Sequence, residues 1–238
     1  MKTQILTAAV VLITGSILGA DAKDEVKSAA KKLADKPNYS WKQTVAVPEG
    51  TQFRPGPSEG KTEKDGYTLI KSTFGENTFE VAFKGEKRAM KGQDGWQSAE
   101  EMAAAGGGGG GGGRGGFRGG MARNMRTPAA QAEDLAGKVK ELKVSDGVYS
   151  GDLTEEGAKS FVGFGGRGGG QGPEISGAKG SVKFWIKDGV LTKFEFKVQG
   201  SMSFNGNDIN LDRTTTVEIK DIGTTKVELP EEAKKKLS

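Results

Sequence analysis

The chain has 238 residues, 39 of them glycine, and its 35 basic and 31 acidic residues give a net charge of +4. It contains no cysteine and no histidine, which excludes disulfides, iron–sulfur clusters and thiol chemistry and removes the commonest metal ligand and general base. A mixed charge of this size favours solubility and does not require an anionic partner.

The first residues predict a cleaved signal peptide over 1–22. Residues 1–4 form a short cationic start, residues 5–19 are mostly apolar, and Ala20-Asp21-Ala22 is the small-x-small pattern that a signal peptidase cuts. Charged residues follow at once from Lys23, so no stable membrane anchor is expected after cleavage. We therefore expect a cut after Ala22, a single mature domain over 23–238, and a periplasmic or secreted location. The lack of cysteine also excludes the lipidated N-terminus of a bacterial lipoprotein.

A helix and then a meander of short strands are predicted next. The helix covers 24–32, and strands are predicted over 40–47, 67–73, 78–84 and 88–91. Phe79, Val81 and Phe83 share one face of their strand, and the short turns between strands require antiparallel pairing. The sequence from Ser98 to Glu101 opens a short helix with a capping box.

Two glycine-rich stretches interrupt the pattern, and both are predicted to be disordered. The first is a Gly/Arg-rich insertion over 105–127, and the second is a loop over 163–172. Within the first, residues 113–120 match an RGG box, in which Arg114, Phe117 and Arg118 are candidates for contact with a polyanion. Because an exported protein meets little RNA, an insertion at a loop tip is favoured over nucleic-acid binding.

The remaining sequence alternates short helices with long amphipathic strands. Helices are predicted over 128–139, 154–161 and 230–237, a hairpin over 142–151, and strands over 179–187, 190–199 and 208–221. One apolar and one polar face per strand is typical of an antiparallel sheet that covers a single core. The predicted fold class is α+β: a curved antiparallel sheet, or half-barrel, covered by a few short helices, with disordered glycine-rich loops.

The C-terminal third resembles a known group of carriers. Phe184-Trp185-Ile186-Lys187-Asp188-Gly189-Val190-Leu191, together with residues 225–233, is similar to the LolA/LolB and LppX/LprG group of exported lipoprotein and lipid carriers. In that group an incomplete barrel of antiparallel strands wraps an apolar cavity, and helices close its open side. The missing lipid-anchor cysteine makes the soluble LolA kind the nearer comparison, and the glycine tracts are not part of the group's pattern.

The resemblance implies that apolar side chains on the concave face bind the ligand. The cavity candidates are Trp41, Tyr67, Leu69, Phe79, Phe83, Phe184, Phe194 and Phe196. For any single one of these side chains, packing in the core is the favoured alternative. Arg213 has the parity of Leu211 and Thr215 and could meet an anionic headgroup, or lie at the sheet edge or beside a carboxylate.

The sequence therefore predicts a non-enzymatic binding protein with no metal site and no cofactor. Its ligand would be a lipid, a lipoprotein acyl chain or another hydrophobic molecule. The alternative is a structural or interaction protein of the envelope, with an envelope protein as partner and the glycine loops as contact segments. An RGG-type nucleic-acid binder is the remote third reading.

Overall fold

The computed structural model describes residues 19–51, 54–74, 77–92, 95–105, 125–162, 174–204 and 207–238. The helices of these residues are α1 (Gly19–Ala34), α2 (Ala99–Ala105), α3 (Pro128–Gly137), α4 (Glu155–Val162) and α5 (Glu231–Lys236). The strands are β1 (Asn38–Ala46), β2 (Pro55–Glu63), β3 (Thr68–Phe74), β4 (Asn77–Lys84), β5 (Lys87–Gly92), β6 (Gly95–Ser98), β7 (Lys143–Ser145), β8 (Val148–Asp152), β9 (Glu174–Lys187), β10 (Val190–Phe204) and β11 (Asn207–Lys220).

All of these strands form one sheet, in the order β6-β5-β4-β3-β2-β1-β11-β10-β9-β8-β7. Every neighbouring pair is antiparallel, and β6 and β7 are its two ends. We call β2–β6 the meander half and β7–β11 the C-terminal half; β1 joins them by pairing with both β2 and β11. The predicted α+β class, with an open antiparallel sheet and short helices, is confirmed.

Two Asp-Gly hairpins set the register of the C-terminal half. Asp146–Gly147 and Asp188–Gly189 all have positive φ, between 52° and 74°, as a two-residue hairpin of the right twist requires. The second hairpin pairs Val190 with Lys187 and brings Phe194 opposite Phe184. The predicted turns at both sites are therefore confirmed.

The sequence analysis identified no strand over β2. Its sequence, PGPSEGKTE, has no β-branched residue except Thr62 and no aromatic residue, so propensity alone gives no strand signal. The strand forms because its neighbours β1 and β3 both pair with it. Its Gly60 lies opposite Trp41, and this position explains part of the unusual composition.

Three helices cover one face of the C-terminal half. Helix α1 packs on β10 and β9, α3 packs on α1, and α4 packs on β9 and β10. The buried residues of α1 are Ala22, Val26, Ala29, Ala30 and Leu33, which recur at helical spacing. The cover places the largest fully buried side chains, Phe184 and Phe194, in the centre of the core.

Several predicted features lie at or beyond the limits of the described residues. The signal peptide falls outside them up to residue 18, as do residues 106–124 of the Gly/Arg-rich insertion and all of the second loop, 163–172. The expected cut after Ala22 lies inside α1, which begins at Gly19. A chain starting at Lys23 keeps Val26, Ala29 and Leu33 on the buried face. None of the described helices combines the length and the apolar character that a membrane span requires.

Candidate functional site

The register of the sheet assigns each predicted site residue to one of two faces. We define the inner face as the face that bears Phe184, Phe194 and Val217 and packs against the helices. Because residues directly opposite on antiparallel strands point to the same side, this face can be followed across the whole sheet. Trp41, Phe79, Phe83 and Phe196 lie on it as well.

Tyr67 and Leu69 lie elsewhere, which corrects their predicted place on the concave face. Leu69 pairs with Ala82, and both Leu69 and Tyr67 pack in a separate cluster on the outer face. The buried members of this outer cluster are Ala82, Ala89, Trp96, Leu229, Ala233 and Leu237. Sequence parity in the strand could not show that the C-terminal segment and α5 cover the outer face there.

In the C-terminal half the inner face is filled by side chains of the protein itself. Phe184, Phe194 and Phe196 are all buried, with ring centroids of neighbouring phenylalanines 6.4 Å apart. Phe161 of α4 adds a fourth ring 5.3 Å from Phe196. These three predicted cavity residues therefore serve as core in this structure.

In the meander half an apolar row crosses the inner face. Trp41, Gly60, Ile70, Val81 and Met90 lie in register on β1 to β5. A Cβ added at Gly60 would stand 2.0 Å from Cζ2 of Trp41, so the indole lies directly over the glycine backbone. The missing side chain of Gly60 leaves the space that the ring of Trp41 occupies.

The cover over this row is thin and rich in methionine. Met102 of the seven-residue α2 and the half-buried Met125 belong to the same cluster as Val81 and Met90. Helix α2 contacts β5 and β6, whereas α1 and α4 contact chiefly strands of the C-terminal half. Methionine is unbranched and fills irregular gaps, so this part of the core can repack at low cost.

The row is bordered by polar and charged side chains. Ser72 donates a hydrogen bond to Ser58 at 2.8 Å between their hydroxyl oxygens, beside Phe79. On the other border Arg88 lies opposite Phe83, with its guanidinium carbon 4.8 Å from the centre of the phenylalanine ring. Met90, Met102, Met125 and Arg88 were not among the predicted site residues, although Arg88 and Met90 share one parity in the strand predicted over 88–91.

Arg213 is on the inner face, as its parity predicts, and it meets a helix end. It lies opposite Val198, and its Nη2 donates a hydrogen bond to the carbonyl of Phe161 in the last turn of α4. Burial lowers the pKa of Arg213. A cation at a helix C-terminus is stabilised by the helix dipole, so Arg213 here anchors α4 to the sheet.

Two grooves of the described residues are lined mainly by charged and small polar residues. They measure about 420 and 460 Å³ and lie at the β8–β9 and β9–β10 side of the C-terminal half. Lys140, Asp152 and Ser181 line both grooves. Neither groove includes a predicted cavity residue.

The polyanion candidates Arg114, Phe117 and Arg118 lie outside the described residues. Among the residues that are described, no group of three or more Asp or Glu side chains is placed to hold a metal ion. Burial raises the pKa of Tyr39 to about 12, and hydrogen bonds from Thr127 and from the main chain of Ala129 act in the opposite direction.

Comparison with known proteins finds similar folds and no similar sequence. No family model matches the chain, and no curated protein matches it. LprF from Mycobacterium bovis is 11% identical with a TM-score of 0.45, over 92% of this chain and 100% of its own. The lipoprotein LppX from Mycobacterium tuberculosis is 8% identical with a TM-score of 0.43, over 87% of this chain and 98% of its own.

A LolA superfamily protein from Nitrosomonas europaea is 11% identical with a TM-score of 0.32, over 90% of this chain and 96% of its own. The names LppX and LolA are those of the group that the C-terminal third of the sequence resembles. The likeness concerns the arrangement of sheet and helices and does not extend to a ligand.

Proposed function

We propose that the protein is an exported, non-enzymatic binding protein that holds an apolar ligand, such as a lipid or a lipoprotein acyl chain, on the inner face of the meander half. One observation carries this proposal. Ile70, Val81 and Met90 form an apolar row that is covered by the short helix α2 and by the side chain of Met125. The equivalent face of the C-terminal half is closed by three packed helices and has no such adaptable cover.

Binding would replace side-chain contacts by ligand contacts. Met90 and Met102 are 3% and 4% exposed, so the row is closed by the protein's own side chains in this structure. An acyl chain entering between α2 and β5 would take the place of Met102 and Met125. The exchange keeps the apolar surface out of water, so its net cost is small.

The proposed location outside the cytoplasm rests on the sequence of the first 22 residues. A basic start, an apolar stretch and Ala20-Asp21-Ala22 together support export and cleavage. The full sequence of 238 residues offers no cysteine or histidine for catalysis, which supports a binding role.

Native mass spectrometry of the protein purified from the envelope fraction tests the proposal. We expect the measured mass to be that of a chain starting at Lys23. We also expect an apolar molecule to co-purify with the protein and to be extracted by organic solvent. Met102→Gln should lower the bound fraction because it puts an amide in the cover of the row. The control Leu237→Gln changes an equally buried side chain of the outer cluster and should leave binding intact. A wild-type protein that carries no ligand and binds no apolar probe would contradict the proposal.

A second candidate is an envelope interaction protein without a ligand. The filled inner face of the C-terminal half and the polar grooves beside Lys140 and Asp152 favour it. In that case the Gly/Arg-rich stretches would contact an envelope partner. Cross-linking in intact cells that captures a protein through residues 106–124, with no lipid extracted, would favour this candidate.

A further inference from the structure

Arg88 has a buried guanidinium nitrogen without a partner. Its Nη1 is shielded from solvent and makes no hydrogen bond with any described group. Leaving a buried charged donor unpaired is costly, and native proteins normally satisfy such groups with protein, water or ligand. Arg88 therefore differs from Arg213, which donates to a helix carbonyl.

A second arginine, Arg126, acts on Arg88 through its charge. Burial is the main cause that lowers the pKa of Arg88, the charge of Arg126 lowers it further, and Glu86 acts in the opposite direction. Glu80 has the same parity as Ala82 on β4 and therefore faces the outer side. There its carboxylate oxygen forms an ion pair with the ammonium nitrogen of Lys71 at 2.8 Å.

The unpaired donor lies directly beside the apolar row. Arg88 stacks on Phe83 and is two residues from Met90 on the same face of β5. The buried hydroxyls of Thr62 and Thr68 lie in the same cross-strand line, 2.7 Å apart and bonded to each other. A molecule lying along Met90, Val81 and Ile70 would thus present its end to Arg88.

We propose that Arg88 and Arg126 bind the anionic headgroup, a phosphate or a carboxylate, of the ligand whose apolar part occupies the row. This assignment rests on the proposed function, and it names the chemical class of the ligand: an anionic amphiphile. Two guanidinium groups can bind one phosphate or carboxylate through several charge-assisted hydrogen bonds, and the anion would satisfy the buried Nη1.

The test compares ligands that differ only in the headgroup. A neutral fluorescent probe, N-phenyl-1-naphthylamine, is bound to the full exported protein and displaced by hexadecyl phosphate or by hexadecanol. We expect hexadecyl phosphate to displace it at about tenfold lower concentration, a preference that weakens as salt is raised. Inorganic phosphate alone should not displace hexadecyl phosphate, because it cannot use the apolar row.

Variants assign the preference to the two arginines. Arg88→Gln should abolish the preference, so that hexadecyl phosphate and hexadecanol displace the probe at similar concentrations. Arg126→Gln changes an exposed side chain, so it should fold normally and reduce the preference even if Arg88→Gln is unstable. The control Lys193→Gln removes a cation stacked 4.7 Å from the ring of Trp185 on the outer face, and it should behave as wild type.

Four results would overturn the assignment in distinguishable ways. Probe binding with equal displacement by the phosphate and the alcohol would leave the carrier function standing and remove the headgroup site. A preference retained in both arginine variants would place the anion elsewhere. Displacement of hexadecyl phosphate by inorganic phosphate would indicate a site for the free anion. Failure of the probe to bind at all would refute the proposed function together with the headgroup site.

Discussion

The two halves of the sheet use the same strand geometry to build different kinds of core. In the C-terminal half, long strands and three helices bury Phe184 and Phe194 completely. In the meander half, short strands carry a thinner apolar layer on each face, closed by α2 on the inner side and by α5 on the outer side. The C-terminal half can supply rigidity, and the meander half can supply a surface that repacks around a ligand.

The largest expected effect tests whether the C-terminal half is the stability centre. Phe184→Ala leaves a cavity beneath α1 and should lower the free energy of unfolding by about 3–5 kcal/mol. Phe83→Ala, at the border of the meander row and 8% exposed, should cost about 3 kcal/mol or less. Urea unfolding of the two variants measures the difference, and an equal or reversed order would remove the distinction between the halves.

The next effect concerns β1, the strand that joins the two halves, on which Tyr39 is 2% exposed. Burial raises the pKa of Tyr39 to about 12, so the unfolded chain ionises this phenol at lower pH than the folded protein does. The stability that this group contributes is present below pH 10 and is lost as pH rises toward 12, in total roughly 2–3 kcal/mol. Urea titrations at pH 9, 10 and 11 should show this loss, and it should be smaller in Tyr39→Phe. An identical loss in the variant would contradict the assignment to Tyr39.

A smaller effect tests the close approach of Trp41 to β2. In Gly60→Ala the added methyl group would clash with the indole of Trp41, which should destabilise the protein by about 1–3 kcal/mol. Gly137→Ala is the control, because nothing lies within 4 Å of its added Cβ. In a Trp41→Leu background, the added cost of Gly60→Ala should shrink. A full cost in that background would mean that Trp41 is not the obstacle.

The smallest effect concerns α4, the helix that Arg213 anchors. The hydroxyl of Thr154 accepts a hydrogen bond from the N–H of Gly157 at 3.0 Å, so Thr154→Ala should cost about 1 kcal/mol. Thr154→Ser keeps the hydroxyl and should lose less. Thermal unfolding of the two variants compares them directly, and equal losses would argue against capping.

The elements that follow from local sequence were predictable, and the capping box is the clearest example. The N–H of Ser98 donates to Oε2 of Glu101 at 2.7 Å, and the hydroxyl of Ser98 accepts from the N–H of Glu101 at 3.2 Å. The sequence also predicted the Asp-Gly hairpins. It predicted, from strand parity, that Phe79, Phe83 and Arg213 face inward. Each depends on residues only a few positions apart.

Features that depend on distant segments were not predictable. Strand β2 forms because β1 and β3 flank it, and the placing of Leu69 depends on α5, more than 150 residues further along the chain. The partner of Arg213, a carbonyl at the end of α4, likewise follows from how helix and sheet dock. The methionine cover over the meander row combines β5, α2 and residue 125, which no single periodic pattern brings together.

The most direct measurement is photo-cross-linking of the exported protein with hexadecyl phosphate that carries a diazirine at the end of its alkyl chain. Peptide mass spectrometry then locates the adducts. We predict adducts on β3–β5 and α2, in peptides that contain Val81, Met90 or Met102. Adducts confined to the outer cluster around Trp96 and Leu237, or to α1 and the C-terminal half, would contradict a binding site on the inner face of the meander half.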